Sequence, residues 1–251
     1  LLESRGLGDV YKRQIYGFTW LTNNRIGYVK DDGGDENIHF YAVSIDGTNK
    51  IDLTPFENIQ ARIIDDLEDD QDNIIIGLNK RNPEIHDPYR VNINEGTMEM
   101  IAENPGNISG WGTDHDGKLR IATTSDGVNT SLLYRDKESD DFKPILTTDF
   151  KVSVVPLFFT FDNKSLYVAS NRGRDKTAIF EFDLKKAEEG KLIFENDEVD
   201  VNGLSYSKKR KVLTGVNYTL AKKKVFFFDS LRENIQNKLE KQLPGYEVGI
   251  T

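Results

Sequence analysis

Apolar and polar positions alternate in short runs along most of the chain, and the runs return at a fixed interval. Residues 25–29, 73–77, 118–122, 165–169 and 211–215 are β-rich, and their starts lie 45 to 48 residues apart. Each follows a polar stretch: "TNN", "DDQD", "DHDG", "FDNK" or "SKKR". Asp and Asn side chains bond nearby backbone there, and Gly or Asn tolerates positive φ, so these stretches predict tight turns. A third strand begins 13 to 15 residues later, in "HFYAVSI", "PYRVNIN", "SLLYRDK", "AIFEFDL" and "KVFFFDS". In "AIFEFDL" the period is two: Ile179, Glu181 and Asp183 point one way, Phe180, Phe182 and Leu184 the other. A fourth, outer strand is expected in "KIDLTP", "TMEMIAE", "FKPILTT" and "KLIFEN".

A repeat of this length is the signature of a four-stranded propeller blade, whose faces are buried by stacking on neighbours. The expected fold is therefore all-β: a β-propeller of about five blades and an incomplete ring, with blades near 15–56, 57–105, 106–150, 151–198 and 199–251. A row of separate sandwiches would need linkers, and no Pro/Gly/Ser-rich stretch divides the units. One segment has helical spacing instead. Leu231, Ile235, Leu239 and Leu243 share a face of a helix expected over 230–243, with Ser230 as its N-cap and the helix replacing or preceding the fifth outer strand.

Composition narrows the function classes. A net charge of −9 opposes a nucleic-acid surface, which needs a positive field. The lysines of "SKKRK" (207–211) and "AKKKV" (221–225) read as solvated turn charges. The longest apolar run, 152–161, falls short of the ~20 residues of a spanning helix. With no cysteine there is no disulfide scaffold, thiolate metal site or cysteine nucleophile, although compartment stays open. Residues 1–14, "LLESRGLGDVYKRQ", lack signal-peptide anatomy and read as non-native adaptor or assembly sequence joined to the reading frame.

Candidate chemistry is sparse. The acidic "DDGGDEN" (31–37) lies between a second and a third strand, and its counterparts in the other units do not share its charge. It lacks the alternate-ligand spacing and closing Glu of a calcium loop, so it reads as a turn. Three scattered histidines, His39, His86 and His115, make no zinc motif; His86, in the "PEIHDP" loop, is the one with functional potential. "GNISG" (106–110) has the wrong spacing for a nucleophile elbow, and no phosphate loop occurs. No catalytic residue, metal or cofactor is assigned.

The repeated units nevertheless look familiar. Tyr41 with "SIDG" and Leu53-Thr54-Pro55, Tyr89 with "NINEG", and Leu166-Tyr167-Val168 before "SNRGRDKTAIFEFDL" resemble propeller blades of prolyl oligopeptidase family serine peptidases, which include dipeptidyl and acylaminoacyl peptidases. The final unit, from "DVNGLSYSKKRKVLTG" to the Leu-rich helix and "LPG", carries the strongest likeness. The resemblance covers about residues 15–251, and TolB-like propellers share part of its logic. It implies a propeller preceding an α/β-hydrolase domain of the same polypeptide, restricting peptide entry to a Ser-Asp-His site. That catalytic domain is missing here, so no catalytic residue is carried over. The resemblance leaves two functions: substrate gating in a serine exo- or oligopeptidase, or a non-catalytic TolB-like module that binds proteins or peptides. If the face bearing the second-to-third strand loops meets the hydrolase, Arg172 and Arg174 in "NRGRD" become candidate contacts for a substrate carboxylate or carbonyl, because guanidinium presents a fixed fork of donors. The bland alternative pairs them with Asp175 or Asp183 inside the blade.

Overall fold

The computed structural model describes residues 15–31 and 33–250, leaving aside the side chain of Asn202. The adaptor-like residues 1–14 lie outside this range. The described chain forms nineteen strands and one helix, and the strands fall into five sheets taken in order along the sequence.

The first sheet contains β1 (Ile15–Thr22), β2 (Arg25–Lys30), β3 (His39–Ser44) and β4 (Ile51–Asp52), each beside the next. The second repeats this order with β5 (Ala61–Asp65), β6 (Asn73–Asn82), β7 (Ile85–Asn92) and β8 (Met98–Met100). The third has β9 (Ile108–Thr113), β10 (Leu119–Ser125), β11 (Asn129–Tyr134) and β12 (Lys143–Asp149). The fourth has β13 (Val154–Phe159), β14 (Ser165–Ser170), β15 (Ala178–Asp183) and β16 (Glu188–Phe194). In the fifth, β17 (Val201–Ser207), β18 (Val212–Thr219) and β19 (Lys223–Phe227) are followed by α1 (Ser230–Gln242) where the other units have an outer strand. The architecture is an all-β propeller of antiparallel blades, as the repeat predicts.

The chain divides into two compact units: the residues up to Thr124 with Arg135–Phe142, and Ser125–Tyr134 with the residues from Lys143 onward. In the first, the core lies between two sheets: Phe40, Ala42 and Leu53 meet Ile59, Ile74, Ile76 and Val91. Ile74, Ile75 and Ile76 are all fully buried, so β6 is covered on both faces and reads as a continuous apolar run. Gly27 is required by this packing, because a Cβ there would lie 2.6 Å from the Phe40 ring and 3.1 Å from Leu21. In the second unit, Ala169, Ile179, Val201 and Val216 form the core, joined by Phe194 and Tyr218. Ile179 is thus buried along with Phe180, Phe182 and Leu184, so both faces of β15 are covered at that level.

The turns behave as their composition predicts. Asn163 in "FDNK" and Gly117 in "DHDG" have φ of 57° and 69°. The helix differs in its start and its exposure. Asp229, not Ser230, is the N-cap, with its carboxylate accepting from the backbone N–H of Leu231 and Arg232 while pairing with Arg210. Leu231, Ile235 and Leu243 are exposed, and the buried side chain is Gln236, which donates to the Val248 carbonyl at 2.6 Å.

Candidate functional site

The β14–β15 loop of the fourth blade carries both arginines singled out in the sequence. Arg174 is held inside the blade. Its two terminal nitrogens reach the Glu189 carboxylate at 2.7 and 3.3 Å, and its guanidinium stacks 4.1 Å from the Phe180 ring centre. Its in-blade partner is Glu189 and not the expected Asp175 or Asp183, which pair with Lys176 and Lys186. Arg172 is exposed, and among the described residues its guanidinium has no counter-ion. Gly173 between them has φ of 71°, which places the two arginines on either side of a tight turn.

A second feature lies in the first unit, where β5, the β6–β7 hairpin and the start of β9 enclose a cleft of about 470 Å³. Glycines make the space: Gly77 forms part of the lining, and a Cβ there would meet Ile64 and His86 only at 3.5 and 3.6 Å. Ile63, Ile85, Ile108 and Trp111 supply apolar wall. His86, expected in a loop, stands on β7, and its buried Nε2 has no hydrogen-bond partner among the described residues. Burial, and then the nearby Arg62 charge, push the imidazole below its ordinary pKa, so the ring is neutral at neutral pH. Arg62 is exposed at the cleft, without an ion-pair partner among the described residues.

The hairpin bearing His86 is rigidly mounted. Asp87, fully buried, accepts from Arg81 at 3.0 and 3.1 Å and from the Asn104 backbone N–H at 2.7 Å. Asn104 in turn donates to the carbonyls of His86 and Ile108. A buried carboxylate met by a bidentate guanidinium and a backbone donor holds its geometry.

A repeated asparagine latch was not foreseen. Asn79 accepts from the Gln60 N–H at 2.7 Å and donates to the Asn58 carbonyl, while Asn171 accepts from the Ser153 N–H at 2.7 Å and donates to the Lys151 carbonyl. Each ties the end of a second strand to the entry of the first strand in the same blade. Asp31 stands at the matching place in the first blade, buried, accepting from the Tyr16 hydroxyl at 3.1 Å. The other candidates resolve simply. His39 pairs with Asp52 at 3.0 Å, and the "DDGGDEN" segment joins β2 to β3. Among the described residues no three His, Asp or Glu side chains converge as metal ligands.

Comparison with known proteins adds a relationship to this geometry. No family model matches the chain. Dipeptidyl aminopeptidase BIII of Pseudoxanthomonas mexicana is 32% identical over 211 residues, an alignment covering 80% of this chain and 30% of that protein. The chain is homologous to this peptidase. It spans about a third of the length of the curated relative. Among solved structures, acylaminoacyl peptidase of Pyrococcus horikoshii matches with a TM-score of 0.55 and 12% identity, covering 87% of this chain and 38% of that one. TolB of Acinetobacter baumannii matches with a TM-score of 0.54 and 18% identity, covering 84% and 51%. These two likenesses establish the propeller fold, shared by peptidase propellers and TolB-like propellers alike.

Proposed function

We propose that this chain is the substrate-gating propeller portion of a serine exo- or oligopeptidase. It restricts peptide access to an α/β-hydrolase active site carried elsewhere on the same polypeptide. The observation that supports this reading is the 32% identity to dipeptidyl aminopeptidase BIII across 80% of the chain. Physically the gate acts by exclusion: a blade sheet with a buried core does not deform to pass a folded chain, so extended peptides enter and folded proteins do not.

In this reading the face carrying the second-to-third strand loops and the blade-to-blade crossovers meets the hydrolase. Arg172 contacts a substrate carboxylate or carbonyl, and Arg174 supports it, with Glu189 and Phe180 holding the turn. The intact polypeptide should hydrolyse short peptide substrates and spare folded proteins. Arg172→Ala should raise KM by about tenfold with little change in kcat, the loss expected for one charge-assisted hydrogen bond. An unchanged KM in both Arg172→Ala and Arg174→Ala would remove these residues from the reading. No hydrolysis of any peptide by the intact polypeptide would overturn the peptidase assignment and favour the alternative, a non-catalytic propeller binding proteins or peptides, which the TolB likeness supports.

A further inference from the structure

The cleft of the first unit combines three properties of a ligand site. It has ligand-sized volume, about 470 Å³, within the ~300–1,000 Å³ of small-molecule sites. Its walls set Ile63, Ile85, Ile108 and Trp111 beside the polar Glu84, Asn104 and Ser109, and its lining includes a glycine that leaves room instead of a side chain. At its edge stands an arginine without a counter-ion among the described residues, and the acid in the lining, Glu84, does not neutralise it.

Each property selects part of a ligand. Apolar walls with an indole favour a flat or branched apolar group, since aromatic pairs gain beyond the area they bury. The Arg62 guanidinium suits a carboxylate, which it can bind through two parallel hydrogen bonds. From this constellation we infer that the cleft binds the carboxyl-terminal residue of a short peptide, with an aromatic side chain among Ile63, Ile85, Ile108 and Trp111 and its carboxylate on Arg62. The choice of a peptide over other aromatic carboxylates rests on the proposed gating function.

Calorimetric titration of the full chain with N-acetyl-Gly-Phe, its C-terminal amide and free phenylalanine tests this. The acid should bind at least about tenfold tighter than the amide, and Arg62→Ala should remove that difference, as expected for one lost charge-assisted contact. Gly77→Val puts methyl groups into the lining beside Ile64 and His86 and should abolish binding while the fold is kept. Arg62→Ala, at an exposed site, keeps the test open if the valine variant fails to fold. Free phenylalanine should bind more weakly, because its ammonium group faces Arg62. Equal affinity for acid and amide, equal or tighter binding of free phenylalanine, or wild-type binding by a folded Gly77→Val chain would each overturn the assignment. Binding here does not depend on hydrolysis. A failure of peptidase activity in the intact polypeptide would leave this result standing, and a failure here would leave that activity standing.

Discussion

Asn171 fills both of its amide hydrogen-bonding roles, as acceptor for the Ser153 N–H and donor to the Lys151 carbonyl. Replacing it with Ala leaves both backbone groups to find water. We expect a loss of about 1 kcal/mol, seen as a lower urea midpoint with an unchanged slope, and Asn171→Asp should recover the acceptor half. The latch was legible in principle. Asp31, Asn79 and Asn171 each stand six residues after the start of a second strand, a regularity hidden when turns are compared by composition and not by position. The partner of Arg174 was not legible. Glu189 faces it through a β15–β16 pairing whose register shifts twice, and such shifts leave no mark in the period-two pattern. The candidate cleft was half legible: His86 stood out by type, whereas Arg62, Gly77 and Trp111 come together only once three strands are placed.

The turns and the helix carry the local electrostatics of the elements. Asp126, in the β10–β11 turn, accepts from the backbone N–H of Asn129 and Val128 and from the Asn129 side chain. The Asn129 backbone bond leads these in lowering its pKa from 3.8 to about 2. Because the folded value is the depressed one, the stabilisation is full above the unfolded pKa of about 4 and is lost as pH falls through about 2. Asp126→Ala should therefore flatten the stability curve over that window and leave its slope near neutrality unchanged. At α1, Asp229→Ala should loosen the first turn, detectable as faster hydrogen exchange of its amides. Strand positions were legible to within a few residues because the alternation repeats five times. The helix cap was misplaced by one residue, since Asp and Ser are both good caps and the carboxylate's added pairing with Arg210 is a tertiary fact.

At the scale of the molecule, the repeat announced the number and order of the sheets, while the function stayed out of reach because no nucleophile motif lies within these residues. The relationship to a peptidase was legible as a resemblance in the blade motifs, and the 32% identity to dipeptidyl aminopeptidase BIII over 80% of the chain bears it out. The outward face of β1 is conspicuous at this scale: Tyr16, Phe18 and Trp20 alternate along the strand at 53, 75 and 60% exposure. An exposed aromatic face of this kind favours association between chains. The chain should sediment as larger species with rising concentration, and Phe18→Ser with Trp20→Ser should suppress this without lowering thermal stability.

The asparagine latches have a last consequence, for descent. Each closes its blade with bonds between residues 58 and 79 or between 151 and 171, drawn from that blade's own strands, and asks nothing of a neighbour. A gene segment cut in the crossover before the first strand would carry its closure with it. Blades of this kind can be copied, lost or shuffled as whole cassettes, so related propellers can differ in blade number while the blade itself persists.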